Sequence, residues 1–347
     1  MRIEDLDTPA LTIDLDVLEK NIRDLAESCR AQNIPLRVHT KTHKIPEIAH
    51  LQIRAGAIGI ACQKLGEAEA MVAAGIEDIL IPYNIVGAQK VDRLVRLCKQ
   101  ASITVALDSE ITAGGISERA SVACEVKTLV ELDTGGKRCG VQSPEAARDL
   151  ARKIVSLPGL SFEGIMTYPS RLEAKPFLDH TRALIDEAGI PVHTVSGGGT
   201  GSEAVSAQLG CTETRIGSSV FEGLRRINRR DNPPNPDTCA ERMIVTVVST
   251  PTSDRVITDG GQKTFTSYPP TPYGYIVEHP EAEIYGMSIE HGHIDISKCE
   301  NGFRVGDRLS VIPQHQGMTT NLHDQVYAVR NGLVEGIWKV AGRGRVQ

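Results

Sequence analysis

Eight short runs rich in β-branched residues, each followed by an amphipathic stretch, fill the first two thirds of the chain. They limit its fold more than any other feature. The runs are "LRVHT" (36–40), "AIGIAC" (57–62), "DILIPY" (78–83), "ITVALD" (103–108), "CEVKTLVELD" (124–133), "LSFEGIMTY" (160–168), "PVHTVS" (191–196) and "TETRIG" (212–217). They read as near-continuous apolar strands, buried on both faces. Such strands alternating with helices mean a parallel sheet covered by helices. The stretches between them carry the helical period. In "SPEAARDLARKIVSL", Ala147, Leu150, Ile154 and Leu157 share one face, and Ser143-Pro144 supplies an N-cap and a first helical residue. Eight such units close on themselves, so a (β/α)8 barrel is expected. A further strand, "ALTIDL" (10–15), and a helix over 17–30 with Leu18, Ile22, Leu25 and Cys29 on one face precede the eight.

"DNPPNPDTC" (231–239) ends this beat with three prolines. Beyond it, "MIVTVVST", "RVITDG", "YGYIVE", "AEIYGMSI", "HIDIS", "DRLSVIP", "QVYAVR" and "LVEGIWKV" alternate, with turns between them and no helical period. The fold class is therefore α/β, a barrel plus a C-terminal antiparallel β domain. A chain of 347 residues exceeds one ordinary core. The expected division is 16–235 for the barrel, and 1–15 with 236–347 for the β domain.

Partners are narrowed by charge. A net charge of −6 without a long Lys/Arg run leaves no footprint for nucleic acid. No eighteen apolar residues run together, so no membrane helix is expected, and the acidic start "MRIEDLDTPALTIDLDVLEK" does not read as a signal peptide. Eight cysteines without a CxxC pair read as reduced, mostly buried thiols of a cytoplasmic protein. The ligand left is a small molecule.

In a barrel of this kind, chemistry sits at the C-terminal ends of the strands. "RVHTKTHK" puts His39, Lys41, His43 and Lys44 after the first strand. "ELDTGGKRCGV" puts Asp133, Arg138 and Cys139 after the fifth, and Tyr168 ends the sixth. "SGGGTGS", with Ser196, Gly197, Gly198, Gly199 and Thr200, follows the seventh strand. "RIGSS", with Gly217 and Ser218, follows the eighth. Two Gly/Ser loops, each opening a helix, offer N–H groups to one phosphate. A lysine across the same mouth can form a Schiff base. Lysine and phosphate cradle together point to pyridoxal 5'-phosphate. Cation density and desolvation favour the neutral amine of such a lysine. The pair "HGH" (291–293) looks like metal ligands but lacks a third donor nearby.

The segments "TPALTIDLDVLEKNI", "RVHTKTHK", "ELDTGGKRCGV", "VSGGGTG", "YGMSIEHG" and "VIPQHQGMTTNLHDQVYAVRNGLVEGIW" resemble, in order, the D-threonine aldolase and D-serine dehydratase branch of the pyridoxal phosphate enzymes with an alanine racemase-type barrel. The resemblance implies that Lys41 holds the cofactor and that Lys44 is a solvated surface neighbour. It implies that His39 and His43, as neutral imidazoles, shape the pocket, and that Arg138 contacts the cofactor. Tyr168 would lie beside it. By the same resemblance His291 belongs to the "EHG" segment, with His293 exposed. It further implies a homodimer in which the β domain of one subunit roofs the barrel mouth of the other.

The chain departs from that family at four places. The family's H-x-C or H-x-D metal motif is His315-Gln316-Gly317 here, and glycine has no ligand to offer. Arg171 stands where a histidine usually follows the strand-six tyrosine. A "RPGTY"-like loop has become "RIGSS", and Tyr268 in "DGGQKTFTSY" replaces an acid. The resulting expectation is a lyase cleaving D-configured 3-hydroxy amino acids by retro-aldol chemistry without the metal. His315 would be the general base, and Arg171 and Tyr268 would contact substrate. A racemase or epimerase, with Lys41 on one face and Tyr268 or His315 on the other, is the alternative. A D-serine-type dehydratase and a non-catalytic cofactor carrier remain further readings.

Overall fold

The computed structural model describes residues 1–120, 124–224, 228, 235–300 and 302–347. By its contacts the chain divides into two compact units. Residues 24–41, 48–217 and 344–347 form a barrel unit, and 1–23, 42–47 and 218–343 form a β unit.

All eight barrel strands lie within a few residues of the runs that foretold them. They are β2 (Leu36–His39), β3 (Gly59–Ala61), β4 (Asp78–Ile81), β5 (Ser102–Leu107), β6 (Val126–Leu132), β7 (Leu160–Thr167), β8 (Thr194–Gly198) and β9 (Glu213–Ile216). Each pairs in parallel with the next. The ring closes between β9 and β2, where Leu36 opposes Thr214 and Val38 opposes Ile216. Ala61, Leu80, Ala106, Leu129 and Met166, one from each of β3 to β7, form an apolar cluster of their own. The alternate residues of the same strands, among them Ile60, Ile79, Val105, Val130 and Ile165, belong to a second core that includes the helices. These helices are α1 (Leu15–Ala31), α2 (Pro46–Arg54), α3 (Leu65–Ala73), α4 (Ala88–Cys98), α5 (Glu110–Ala120), α6 (Pro144–Ser156), α7 (Lys175–Glu187) and α8 (Glu203–Gln208). As the sequence indicated, Ser143 caps α6, its Oγ accepting from the Ala146 amide at 3.2 Å. Ser143→Ala is expected to lower unfolding free energy by about 1 kcal/mol, read by urea denaturation.

Where β8, β9 and β2 meet, buried charge replaces apolar packing. Arg37 Nε donates to Glu213 at 2.8 Å, and Ser196 Oγ donates to the same carboxylate at 2.6 Å. A cavity of about 140 Å³ opens at the N-terminal ends of the strands, lined among others by Arg37, Asp78, Lys127, Glu163 and Glu213. Arg37 pairs there with Asp78 at 2.6 Å, and Lys127 donates to Ser102 at 3.0 Å. Charges that satisfy one another at this end of a barrel stabilise it, so the chemistry belongs at the opposite end.

The β unit is one nine-stranded sheet. Its strands are β1 (Ala10–Asp14), β10 (Glu241–Thr252), β11 (Arg255–Thr258), β12 (Gly274–Ile276), β13 (Glu283–Met287), β14 (Gly292–Asp295), β15 (Arg308–Pro313), β16 (Gln325–Arg330) and β17 (Leu333–Lys339). The order is β13-β14-β11-β10-β1-β16-β17, with β15 pairing β10 and β12. It is not wholly antiparallel, because β1 runs antiparallel to β10 but parallel to β16. A short helix that the sequence reading lacked, α9 (Gln316–Thr320), follows β15. The first turns of α1 count with this unit, since Arg330 of β16 pairs with Asp16 and, at 2.7 Å, with Glu19. Of the three-proline segment, residues 231–234 lie outside the described residues, and Asn235 caps a 3-10 turn over Pro236–Thr238.

None of the eight cysteines is joined in a disulfide, but only Cys29, Cys62 and Cys239 are fully buried; the other five are half-buried, contrary to expectation. Thiols are apolar enough to fill helix–helix seams that solvent still reaches. Among the described residues no helix is long and apolar enough to cross a membrane.

Candidate active site

β2 ends at His39, and a 3-10 turn over Thr40–Thr42 lifts Lys41 from its C-terminal end. The turn is pinned by Thr40 Oγ1 donating to the Ala61 carbonyl at 3.1 Å. Lys41 as a whole is exposed to solvent, while the protein groups around its amine partly desolvate it. Burial, then the cations Arg138 and Arg215, draw its pKa below the usual lysine value. The neutral amine, the nucleophilic form, is thereby favoured. His39 is buried with Nε2 3.2 Å from Gln63 Oε1. Burial, with Lys41 and Arg215 adding to it, holds its pKa well below the usual range, so the ring is neutral.

Three expected residues meet around one aromatic ring. Lys41 Nζ lies 5.8 Å from the Tyr168 ring centroid, and the Arg138 guanidinium lies 4.9 Å from it. Arg138 also donates to the buried Glu131 at 3.1 Å. Its turn is organised by Asp133, whose carboxylate accepts from the amides of Gly135 at 3.1 Å and Lys137 at 3.0 Å. Burial raises the Glu131 carboxyl even so. Arg171, three residues past Tyr168, is exposed.

The glycine loop after β8 is built by close approach. A Cβ on Gly197 would sit 2.7 Å from both Cys211 Sγ and Ser170 Oγ, and one on Gly198 would sit 2.6 Å from the Arg215 carbonyl. The Gly198 amide donates to Ser170 Oγ at 2.8 Å, and the Gly199 amide to the Arg215 carbonyl at 3.0 Å. These glycines therefore shape the loop, whose tip is formed by Thr200 and Gly201. The loop after β9 differs from expectation. Gly217 and Ser218 lead into a 3-10 turn over Ser218–Val220, not an α-helix, so that end has little dipole to offer.

Lys44 is the clearest correction. It is buried, not a solvated surface lysine, and Nζ donates to Asn321 Oδ1 at 2.8 Å. A backbone φ of 56° turns it inward, and its carbonyl accepts from the Gly342 amide at 3.1 Å. His43 is buried as well, Nδ1 accepting from Ile45 N at 3.0 Å. The expected exposure of His293 is corrected too. His291 is exposed, while His293 is half-buried, with Nε2 2.9 Å from Ser288 Oγ.

Within the β unit the two remaining candidates meet. The rings of Tyr268 and His315 lie 5.1 Å apart at an interplanar angle of 59°. His315 is the N-cap of α9, its Nδ1 accepting from Met318 N at a long 3.4 Å. That acceptor role assigns the proton of the neutral ring to Nε2.

The family description "alanine racemase, N-terminal domain" matches residues 13–224, and "putative serine dehydratase domain" matches 240–329. A D-threonine aldolase of Arthrobacter sp is 35% identical, with 98% of this chain and 93% of that protein covered. The chain belongs to the D-threonine aldolase branch of the alanine racemase-type barrel family. It is an enzyme of the lyase kind. A 3-hydroxy-D-aspartate aldolase of Paracoccus denitrificans is 31% identical over the same shares of the two chains. The crystal structure of a D-threonine aldolase from Filomicrobium marinum superposes with a TM-score of 0.90 at 31% identity, covering 99% of this chain and 98% of that one.

For the family's cofactor the residues fit: a lysine with a depressed pKa, an arginine and tyrosine beside it, and a glycine loop with no room for a Cβ at Gly197 or Gly198. For the family's metal they do not. Gly317 has no donor, and a Cβ there would come within 3.2 Å of the Thr42 carbonyl oxygen. His323 engages the Thr264 carbonyl at 2.9 Å, and Asp324 pairs with Arg343 at 2.9 Å. Among the described residues His315 belongs to no converging group of three His, Cys, Asp or Glu donors.

Arg215 and Glu131 were missed as site residues. Arg215 is buried and donates to Ser196 Oγ and to the Thr167 carbonyl, the latter at 2.8 Å. Burial brings its pKa down to about 10. The signal was present in "TETRIG", where Glu213 and Arg215 at i, i+2 share one face of a buried strand.

Proposed function

We propose that this enzyme cleaves D-configured 3-hydroxy amino acids between Cα and Cβ, with pyridoxal 5'-phosphate anchored on Lys41. The observation that carries the reading is the lysine amine at the C-terminal end of the first barrel strand, sharing the Tyr168 ring with Arg138 and held toward neutrality by desolvation, then by Arg138 and Arg215. The cofactor, when bound, supplies the electron sink for the broken bond. Lys41 holds it; Arg138 and Tyr168 flank it. Ser196, Gly197, Gly198, Gly199, Thr200, Gly217 and Ser218 form the loops that receive its phosphate. Arg171 fixes a substrate carboxylate, and Tyr268 lies on the substrate side. His315 handles the β-hydroxyl proton. Its neutral ring as capped offers Nε2–H as a donor, and taking a proton at Nε2 requires the other tautomer, at the loss of the long contact to Met318. The reduced thiols support a cytoplasmic setting, and the family supports a homodimer.

A panel of D- and L-3-hydroxy amino acids tests the reading. D-threonine should yield acetaldehyde and glycine, and 3-hydroxy-D-aspartate should yield glyoxylate and glycine. Ammonia release, or inversion with α-proton exchange and no aldehyde, would replace it with the dehydratase or the racemase.

The donor set at His315 leads to a second expected result. Activity survives prolonged dialysis against a chelator, whereas His315→Asn loses on the order of 100-fold in kcat, the lower end of acid–base contributions. Chelator-sensitive activity restored by Mn²⁺ would mean that another ligand replaces Gly317.

A further inference from the structure

The β unit carries a second group of donors that no step of this reaction uses. His279 and Glu281 lie on the turn between β12 and β13, and Cys299 lies on the turn after β14. A ring nitrogen, a carboxylate oxygen and the thiol sulfur of these three all lie within 4.8 Å of one another. We propose that His279, Glu281 and Cys299 bind one zinc ion, with a fourth position open to water.

Both turns are held independently of any ion. The Ala282 amide donates to the His279 carbonyl at 3.0 Å, and the Cys299 amide to the Ile296 carbonyl at 3.0 Å. The imidazole is oriented as well, packed in a tilted pair against Phe303 with centroids 4.3 Å apart at 43°. That orientation leaves His279 Nδ1 3.7 Å from Glu281 Oε1, a separation one shared ion closes. Thiolate, imidazole and carboxylate together suit zinc, whereas Mg²⁺ and Ca²⁺ take oxygen donors. Without an ion, burial and then Glu281 and Asp295 raise the Cys299 thiol, so it rests protonated. Binding exchanges that proton for the metal: the S–H bond breaks, a zinc–sulfur bond forms, and one proton is released. His279 and Cys299 are half-buried and Glu281 is exposed, so zinc enters from solvent and keeps a water.

The test uses the full-length enzyme, stripped with a chelator and equilibrated with Zn²⁺ at micromolar free concentration. One equivalent should be retained and should raise the thermal unfolding midpoint. Cys299→Ser and Glu281→Gln should each lower zinc affinity by at least about 100-fold, the upper end of what losing a mere outer partner of a ligand costs. Both should unfold at the midpoint of the zinc-free parent. Replacing zinc by Co²⁺ should give a sulfur-to-metal charge-transfer band, absent in Cys299→Ser and present in Cys139→Ser. Zinc retention unchanged in both Cys299→Ser and Glu281→Gln, or no retained zinc in the parent, would overturn the assignment.

Discussion

Lys41→Ala loses turnover by roughly 10⁴-fold or more. The same amine is asked both to anchor the cofactor and to move protons, and proton transfer by a positioned side chain alone contributes about 10²–10⁴-fold. Borohydride treatment of the parent should fix the cofactor to Lys41, and peptide mapping should find the adduct there. Lys44, three residues on, is the natural control. Its amine is committed to Asn321 and its stem is packed beside Gly342, so Lys44→Ala should retain the bound cofactor. An adduct on Lys44, or a yellow and active Lys41→Ala, would overturn the assignment of the site.

The second large effect concerns stability. Glu241 opens β10 opposite Ile13 of β1 and is completely buried. Burial pushes its carboxyl up to about 8. Its local bonding agrees. The single proton of the Thr320 hydroxyl lies within reach of both Glu241 and the Gln316 carbonyl, the latter at 2.9 Å. A protonated Glu241 donating from Oε2 to Thr320, with Thr320 donating to Gln316, gives each of these groups a partner, while the buried Glu241 Oε1 has none and would leave a carboxylate poorly compensated. The folded pKa lies above that of the unfolded chain, so the folded state retains a proton which the unfolded state gives up. The stabilisation is complete below the unfolded carboxyl pKa and is lost as pH rises through about 8. Glu241→Gln should match the parent at pH 5 and exceed it at pH 9 by about 3–5 kcal/mol, from 1.4 kcal/mol per unit of pKa difference. Urea unfolding at the two pH values measures this. Parallel pH dependences in parent and variant would show that Glu241 is ionised in the fold.

What could be read from the chain depended on how local the cause was. Strands buried on both faces announce themselves in four or five consecutive apolar residues, and half-exposed strands by alternation, so the eight barrel strands and the eight C-terminal strands were legible. Lys41, Arg138 and Tyr168 were legible because barrel geometry sends every strand end to one mouth. Lys44 was not, since its burial comes from a left-handed backbone and from Asn321 and Gly342, some 280–300 residues away in sequence. The α9 helix is five residues long, too short to show a period, and the Tyr268–His315 contact joins two loops with no shared pattern. Ser218 was read as opening a helix because glycine–serine loops usually do; here it opens a 3-10 turn over Ser218–Val220.

The crowding at Gly317 also bears on what this lineage can become. A side chain there presses on the backbone of Thr42, the residue that follows the lysine. Acquiring the relatives' metal ligand is thus not a neutral single step. It would require the Thr42 backbone, in the turn that carries Lys41, to give by a few tenths of an ångström before any ion was available to repay the disturbance.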